Sequence, residues 1–124
     1  MIYRTPLDEQ GEPGKREVFR TFKKAEGQPD GAATDVEGCY WSALYDGWRI
    51  ARFSPEGEQL EEYRLPVRCP TMVCFGGEDM KTLFITTTRE NMKQDELAKY
   101  PLSGAIFTLP VSVAGVKKSP FIER

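Results

Sequence analysis

Hydrophobic and polar residues alternate along this chain in short bursts, each closed by Gly, Pro, Asp or Ser. The bursts are Ile2-Tyr3-Arg4, Glu17-Val18-Phe19-Arg20, Gly31–Thr34, Tyr40–Leu44, Ile50–Phe53, Leu60–Leu65, Thr71–Phe75, Leu83–Thr87, Ala105–Thr108 and Pro120-Phe121-Ile122. Period-two alternation rich in aromatic and β-branched residues predicts short strands, and the intervening Asp8–Gly11, Asp35–Gly38, Ser54–Gly57 and Gly76–Asp79 predict tight turns. One stretch reads as helix. Asn91–Tyr100 has an Asn start, acids near its front, Lys99 near its end and Pro101 as a stop. It is read as a short insertion between strands that covers an edge or a loop.

The strands repeat. Ile2-Tyr3-Arg4, a turn and Glu17–Arg20 recur as Ile50–Phe53, a turn and Leu60–Leu65, and more loosely as Ala105–Thr108, a turn at Ala114-Gly115 and Pro120–Ile122. Upstream of the second and third copies lie the paired segments Gly31–Thr34 with Tyr40–Leu44, and Thr71–Phe75 with Leu83–Thr87. Spacings of 48 residues (Ile2 to Ile50) and 56 (Ile50 to Ile106) are close to the roughly 40 to 50 residues of a propeller blade. The fold class is therefore all-β: a single partial β-propeller over 1–124, with half a blade at 1–22 and four-stranded blades at 29–65 and 69–124.

Composition narrows the chemistry. The chain contains no histidine, which excludes Ser-His-Asp and Cys-His catalysis and the H-E-x-x-H zinc motif within it. Seventeen basic against nineteen acidic residues give a net charge of −2 with no basic block, so neither nucleic acid nor a membrane surface is an expected partner. Cys39, Cys69 and Cys74 form no C-x-x-C pair, which disfavours a structural zinc site. They are read as buried small hydrophobes. Their odd number and the lack of an apolar leader segment predict a cytoplasmic protein, and no apolar run approaches the roughly 20 residues of a membrane-spanning helix.

Candidate functional groups are few. Asp30, in Pro29-Asp30-Gly31, opens an inner strand, where a carboxylate would face a propeller's central channel; the same Asp-Gly pair is also ordinary turn chemistry. Thr86-Thr87-Thr88 would place hydroxyls at a strand end near the channel rim, a second candidate for substrate contact. Trp41, Phe53, Phe75, Phe84 and Phe107 are read as core between blades, and Glu56, Glu58, Glu61, Glu62, Glu78 and Asp79 as solvated turn and edge charges.

Several motifs, taken in order, resemble one family. They are Gly27-Gln28-Pro29-Asp30-Gly31, Asp35-x-Glu37-Gly38-x-x-Trp41, Arg49–Pro55 with Gly57, Leu65-Pro66-Val67, Pro70-Thr71, Phe75-Gly76-Gly77, Leu83–Thr87 and Leu102–Phe107. The family is that of the sugar lactonases: senescence marker protein, gluconolactonase and luciferin-regenerating enzyme. The resemblance implies a six-bladed propeller, of which this chain is about two and a half blades at the C-terminal end. It also implies hydrolysis of a sugar lactone with one divalent metal, Ca²⁺ or Zn²⁺, in the channel. The family's P-D-G aspartate is a metal ligand and proposed acid/base, roles that carry over to Asp30.

The family's other metal ligands, an early Glu and a mid-chain Asn, lie in segments this chain lacks, and Cys39 and Trp48 stand where the family usually has small or polar turn residues. One carboxylate is far short of the six to eight oxygens that Ca²⁺ takes. The expected function is thus the C-terminal part of a metal-dependent lactonase, inactive in isolation, with a split partner chain or further copies of itself as possible partners. The alternative is a non-catalytic, propeller-derived binding or structural module.

Overall fold

Turns at the predicted places fold the chain back on itself repeatedly. A computed structural model describes residues 1–123 and holds nine strands, β1 (Ile2–Arg4), β2 (Glu17–Arg20), β3 (Gln28–Thr34), β4 (Tyr40–Tyr45), β5 (Arg49–Phe53), β6 (Gln59–Arg64), β7 (Pro70–Gly76), β8 (Thr82–Thr87) and β9 (Ile106–Pro110). A 3₁₀ turn at Lys24–Glu26 and one helix, α1 (Gln94–Lys99), complete the elements. All pairings are antiparallel between consecutive strands, giving sheets β1-β2, β3-β4-β5-β6 and β7-β8-β9.

Side-chain alternation explains why the sheets stack. Along β4, Trp41 and Ala43 project to one side of the middle sheet and Tyr40 and Leu44 to the other. Trp41, Ala43 and Ile50 pack with Val73, Leu83 and Ile85 of the third sheet, while Leu44, Ala51 and Phe53 pack with Phe19 of the first sheet and Phe22 just beyond it. The central strand β5 is consequently buried along its whole length, whereas the edge strand β6 is mostly exposed. Aromatic rings lock both interfaces: Trp41 meets Phe75 edge-on at 5.8 Å, and Phe22 meets Phe53 at 5.6 Å.

Four expectations need correction. Pro120–Ile122 form no strand, so the third sheet has three strands; Phe121 is 92% exposed and has no apolar surface to join. Residues 114–116 instead cross back to the middle sheet, where Val36 N donates to Ala114 O and Val116 N to Thr34 O. The helix begins at Gln94 rather than Asn91, which takes φ +59° in the preceding turn. Phe84 and Cys74, paired across β7 and β8, are exposed because they lie on the face of the third sheet turned away from the middle one.

Trp41→Ala is expected to lower unfolding free energy by about 3–5 kcal/mol in urea titrations, while Phe84→Ala, at a side chain still 37% exposed, lowers it by only about 1 kcal/mol.

Candidate functional site

The start of β3 departs from a regular ladder. Pro29 pairs with Leu44 and Ala32 with Ser42, so Asp30 and Gly31 fall within a bulge and have no register partner on β4. Bulges re-aim side chains and recur beside functional sites. The Asp30 carboxylate is exposed, and among the described residues no ion pair or side-chain hydrogen bond engages it.

Gly31 explains how close the neighbouring sheet comes. A Cβ there would lie 2.7 Å from Thr71 O, 2.7 Å from Met72 Cα and 2.1 Å from Met72 Sδ, so only glycine lets β7 press against β3. The strand it meets carries its own bulge: Pro70 pairs with Thr87 and Met72 with Thr86, leaving Thr71 as the unpaired residue. Asp30 and Thr71 therefore occupy matching places, each directly after the proline near the start of its sheet's first strand.

The three predicted threonines separate in the structure. Thr86 Oγ1 lies 2.8 Å from Thr71 Oγ1 in an exposed hydrogen bond. Thr87 Oγ1 donates to Ala105 O at 2.6 Å and accepts from Gly104 N at 3.0 Å, and Thr88 Oγ1 accepts from Glu90 N. Thr87 and Thr88 thus hold the β8–β9 connection, and Thr86 alone of the three bonds to Thr71.

That connection, 88–105, carries α1 and is fixed to the same rim. Arg68, just before β7, donates to both carboxylate oxygens of Glu96 at 2.7 and 3.2 Å and also pairs with Asp46. Trp48, at φ +59° in the β4–β5 turn, sets its ring 4.7 Å from that of Tyr100, which accounts for a bulky residue at this turn position. A cavity of about 230 Å³ sits at the opposite ends of β3 and β7, bordered by Thr34, Phe75 and Met80, and has no carboxylate in its lining.

A second acidic group tests the metal reading. Asp35, Glu37 and Cys39 bring one ligand atom each to within 4.8 Å of one another, and among the described residues no such set of three includes Asp30. Asp35 is nevertheless fully committed. Its Oδ1 accepts from Glu37 N and Cys39 N, both at 3.0 Å, and its Oδ2 from Trp41 Nε1 and Arg52 Nε, both at 2.9 Å. Arg52 also reaches Glu37 at 2.7 Å, so a guanidinium already fills the place of a cation. Burial pushes the Cys39 thiol up, and the Asp35 charge adds to this, so the group offers a thiol rather than the thiolate a metal needs. The cluster is a structural ion-pair knot. Asp30 is exposed and, among the described residues, has no protein cation beside it, so its carboxylate is free to serve as one of the several oxygen ligands that a hard divalent ion takes.

Residues 1–89 match the family model described as SMP-30/Gluconolactonase/LRE-like region. A 6-deoxy-6-sulfogluconolactonase of Pseudomonas putida is 53% identical over 122 residues, 98% of this chain and 42% of that protein. Regucalcin of Gallus gallus is 35% identical, over 90% of this chain and 38% of its own length. Among solved structures, a calcium-binding regucalcin from Agrobacterium tumefaciens superposes with a TM-score of 0.85 at 33% identity, covering 92% of this chain and 39% of that one. The chain thus spans about two fifths of the length of these relatives, and its nearly all-β sheets match a fragment of their fold.

Burial of Asp35 opposes its charge, but the hydrogen bonds from Trp41, Cys39 N and Arg52 outweigh that and hold the carboxyl below its usual range. A depressed folded value contributes stability present above the unfolded pKa of about 3.9 and lost as pH falls through the folded value. Thermal melts are therefore expected to lose stability below about pH 4, with a shallower acid slope in Asp35→Asn.

Proposed function

The chain belongs to the SMP-30/gluconolactonase/LRE-like family, and on that premise we propose that it forms part of a divalent-metal-dependent hydrolase of sugar lactones, to which it contributes Asp30. The observation carrying this reading is the bulge that turns Asp30 out of the β3–β4 ladder as an exposed, unpaired carboxylate at the start of an innermost strand. The names of the relatives support a sugar-acid lactone as substrate, and the calcium-binding regucalcin supports Ca²⁺ as the metal. A channel metal polarises a lactone carbonyl and lowers the pKa of a water molecule. Asp30 would hold that metal through one carboxylate oxygen and take the proton of the attacking water through the other.

The remaining oxygens come from polypeptide beyond this chain, either other blades of a six-bladed ring or a partner chain. In that arrangement the three sheets described above are an outer half-blade, a complete blade and a blade short of its outer strand. The chain alone is then inactive, in keeping with its coverage of two fifths of its relatives. A cytoplasmic location fits the three free cysteines.

Hydrolysis of D-glucono-δ-lactone, followed with Ca²⁺, Mg²⁺, Mn²⁺ or Zn²⁺, tests the reading. The isolated chain is expected to leave the spontaneous rate unchanged, and restoring it to a complete propeller gives turnover that Asp30→Asn lowers by about 10²–10⁴-fold. Turnover by the isolated chain that survives Asp30→Ala contradicts both the incompleteness and the role of Asp30.

A further inference from the structure

The third sheet stops one strand short of the sheet it packs on, with three strands against four. Val111 N donates to Lys81 O at 2.9 Å, and Leu109 and Phe107 precede it in register opposite Leu83 and Ile85. In an antiparallel ladder successive residues turn their backbone groups to opposite sides, so Phe107, Leu109 and Val111 address β8 while Ile106, Thr108 and Pro110 address the open side. Ile106 and Thr108 each present an N–H and a C=O there, and Pro110 a C=O alone. The side chains of Phe107, Leu109 and Val111 pack on the core shared with the middle sheet and stay half-buried, as do Tyr63 of β6 and Leu65 just after it. A strip of apolar surface thus lies half covered beside an unpaired ladder.

The other edge strands are guarded. β6 carries Glu61, Glu62 and Arg64, β1 and β2 carry Arg4 and Glu17, and β3 and β7 bulge directly after Pro29 and Pro70. Charges, prolines and bulges are the devices that keep a free edge from pairing with a further strand. β9 has neither charge nor bulge, and its single proline stands at the last position. We propose that β9 is a strand-acceptor edge, to which an extended segment from outside these 124 residues adds as the fourth strand of the third sheet, with apolar residues at every second position beside Phe107 and Leu109. Main-chain bonds to Ile106 and Thr108 give the pairing, and the apolar strip selects the alternation of the added segment. A strand is the shape that fits, because it meets backbone groups spaced at every second residue and covers the strip in the same stretch. The place continues an interface already formed, and in the middle sheet β6 fills the corresponding position on β5. The relatives, each more than twice as long as this chain, hold the further polypeptide from which such a strand can come.

The acceptor edge stands apart from the lactonase reading, and its test contains neither metal nor lactone, so either can fail alone. Uniformly ¹⁵N-labelled chain is titrated to millimolar concentrations with a short blocked peptide of alternating valine and threonine, closed by a lysine at each end. Saturable amide shifts centred on Ile106 and Thr108 are expected, with slowed hydrogen exchange at those two amides. Thr108→Pro removes the central edge-facing N–H and leaves the bonds to β8 in place, a change that edge strands tolerate. It is expected to weaken binding about tenfold, the scale of one lost main-chain hydrogen bond. Ile106→Lys, which guards β9 as the other edges are guarded, weakens binding several-fold and serves as the second variant. Unchanged amide dispersion in β7 and β8 shows that each variant is folded. Absence of a saturable response, equal shifts along β1 or β6, or undiminished binding to both variants overturns the proposal. Sedimentation showing that copies of the chain pair through β9, with no displacement by the peptide, also overturns it, since the edge then serves a second copy.

Discussion

One buried carboxylate organises much of this chain. Asp35, 1% exposed, receives two backbone N–H groups of its own turn, the Trp41 indole and the Arg52 guanidinium. The turn sets the register in which β4 returns along β3, and the indole bond fixes the orientation of the ring that fills the space between the middle and third sheets. Arg52 extends the knot to Glu37 and lies over the Trp41 ring at 5.7 Å, tying β5 to the same point. Removing the carboxylate alone would leave a guanidinium with 8% side-chain exposure short of its main partner, the situation in which a buried ion pair becomes costly, by about 3–5 kcal/mol.

Because that knot settles the relation of the second and third sheets, it also settles where β3 and β7 meet. The contact at Gly31 is possible only if β3 and β7 approach backbone to backbone, and it is at this level that both strands bulge. The structural and functional halves of β3 are therefore distinct. Its far end leads into the buried Asp35 turn, and its near end carries the exposed Asp30. Two aspartates five residues apart thus differ in kind: Asp35 accepts four hydrogen bonds, and among the described residues the Asp30 carboxylate accepts none.

The order and bounds of the strands were largely legible in the sequence, since alternation, turn residues and the internal repeat all point the same way. The third repeat misled at Pro120–Ile122, where apolar residues form a short burst but find neither a strand to pair with nor a surface to cover. Phe84 misled similarly. Alternation says which residues share a face, but not whether a further sheet covers that face. For the site, Asp30 stood out through the family resemblance, because Pro-Asp-Gly by itself is turn chemistry. The bulges at Asp30 and Thr71 were not legible, because a bulge is a matter of register between strands, which no single strand's pattern reveals. The Asp-x-Glu-Gly-x-x-Trp motif was legible as a hairpin, whereas its ion pair with Arg52 depends on a strand 17 residues away.

The central claim, that Asp30 is the chain's contribution to a divalent-metal centre, is tested most directly by crystallography of a complete propeller containing this chain, loaded with Ca²⁺. The account predicts an ion with an Asp30 carboxylate oxygen at about 2.3–2.6 Å, and no ion at Asp35, Glu37 and Cys39. An ion held by that second group, or one bound elsewhere with Asp30 outside its coordination shell, would contradict it.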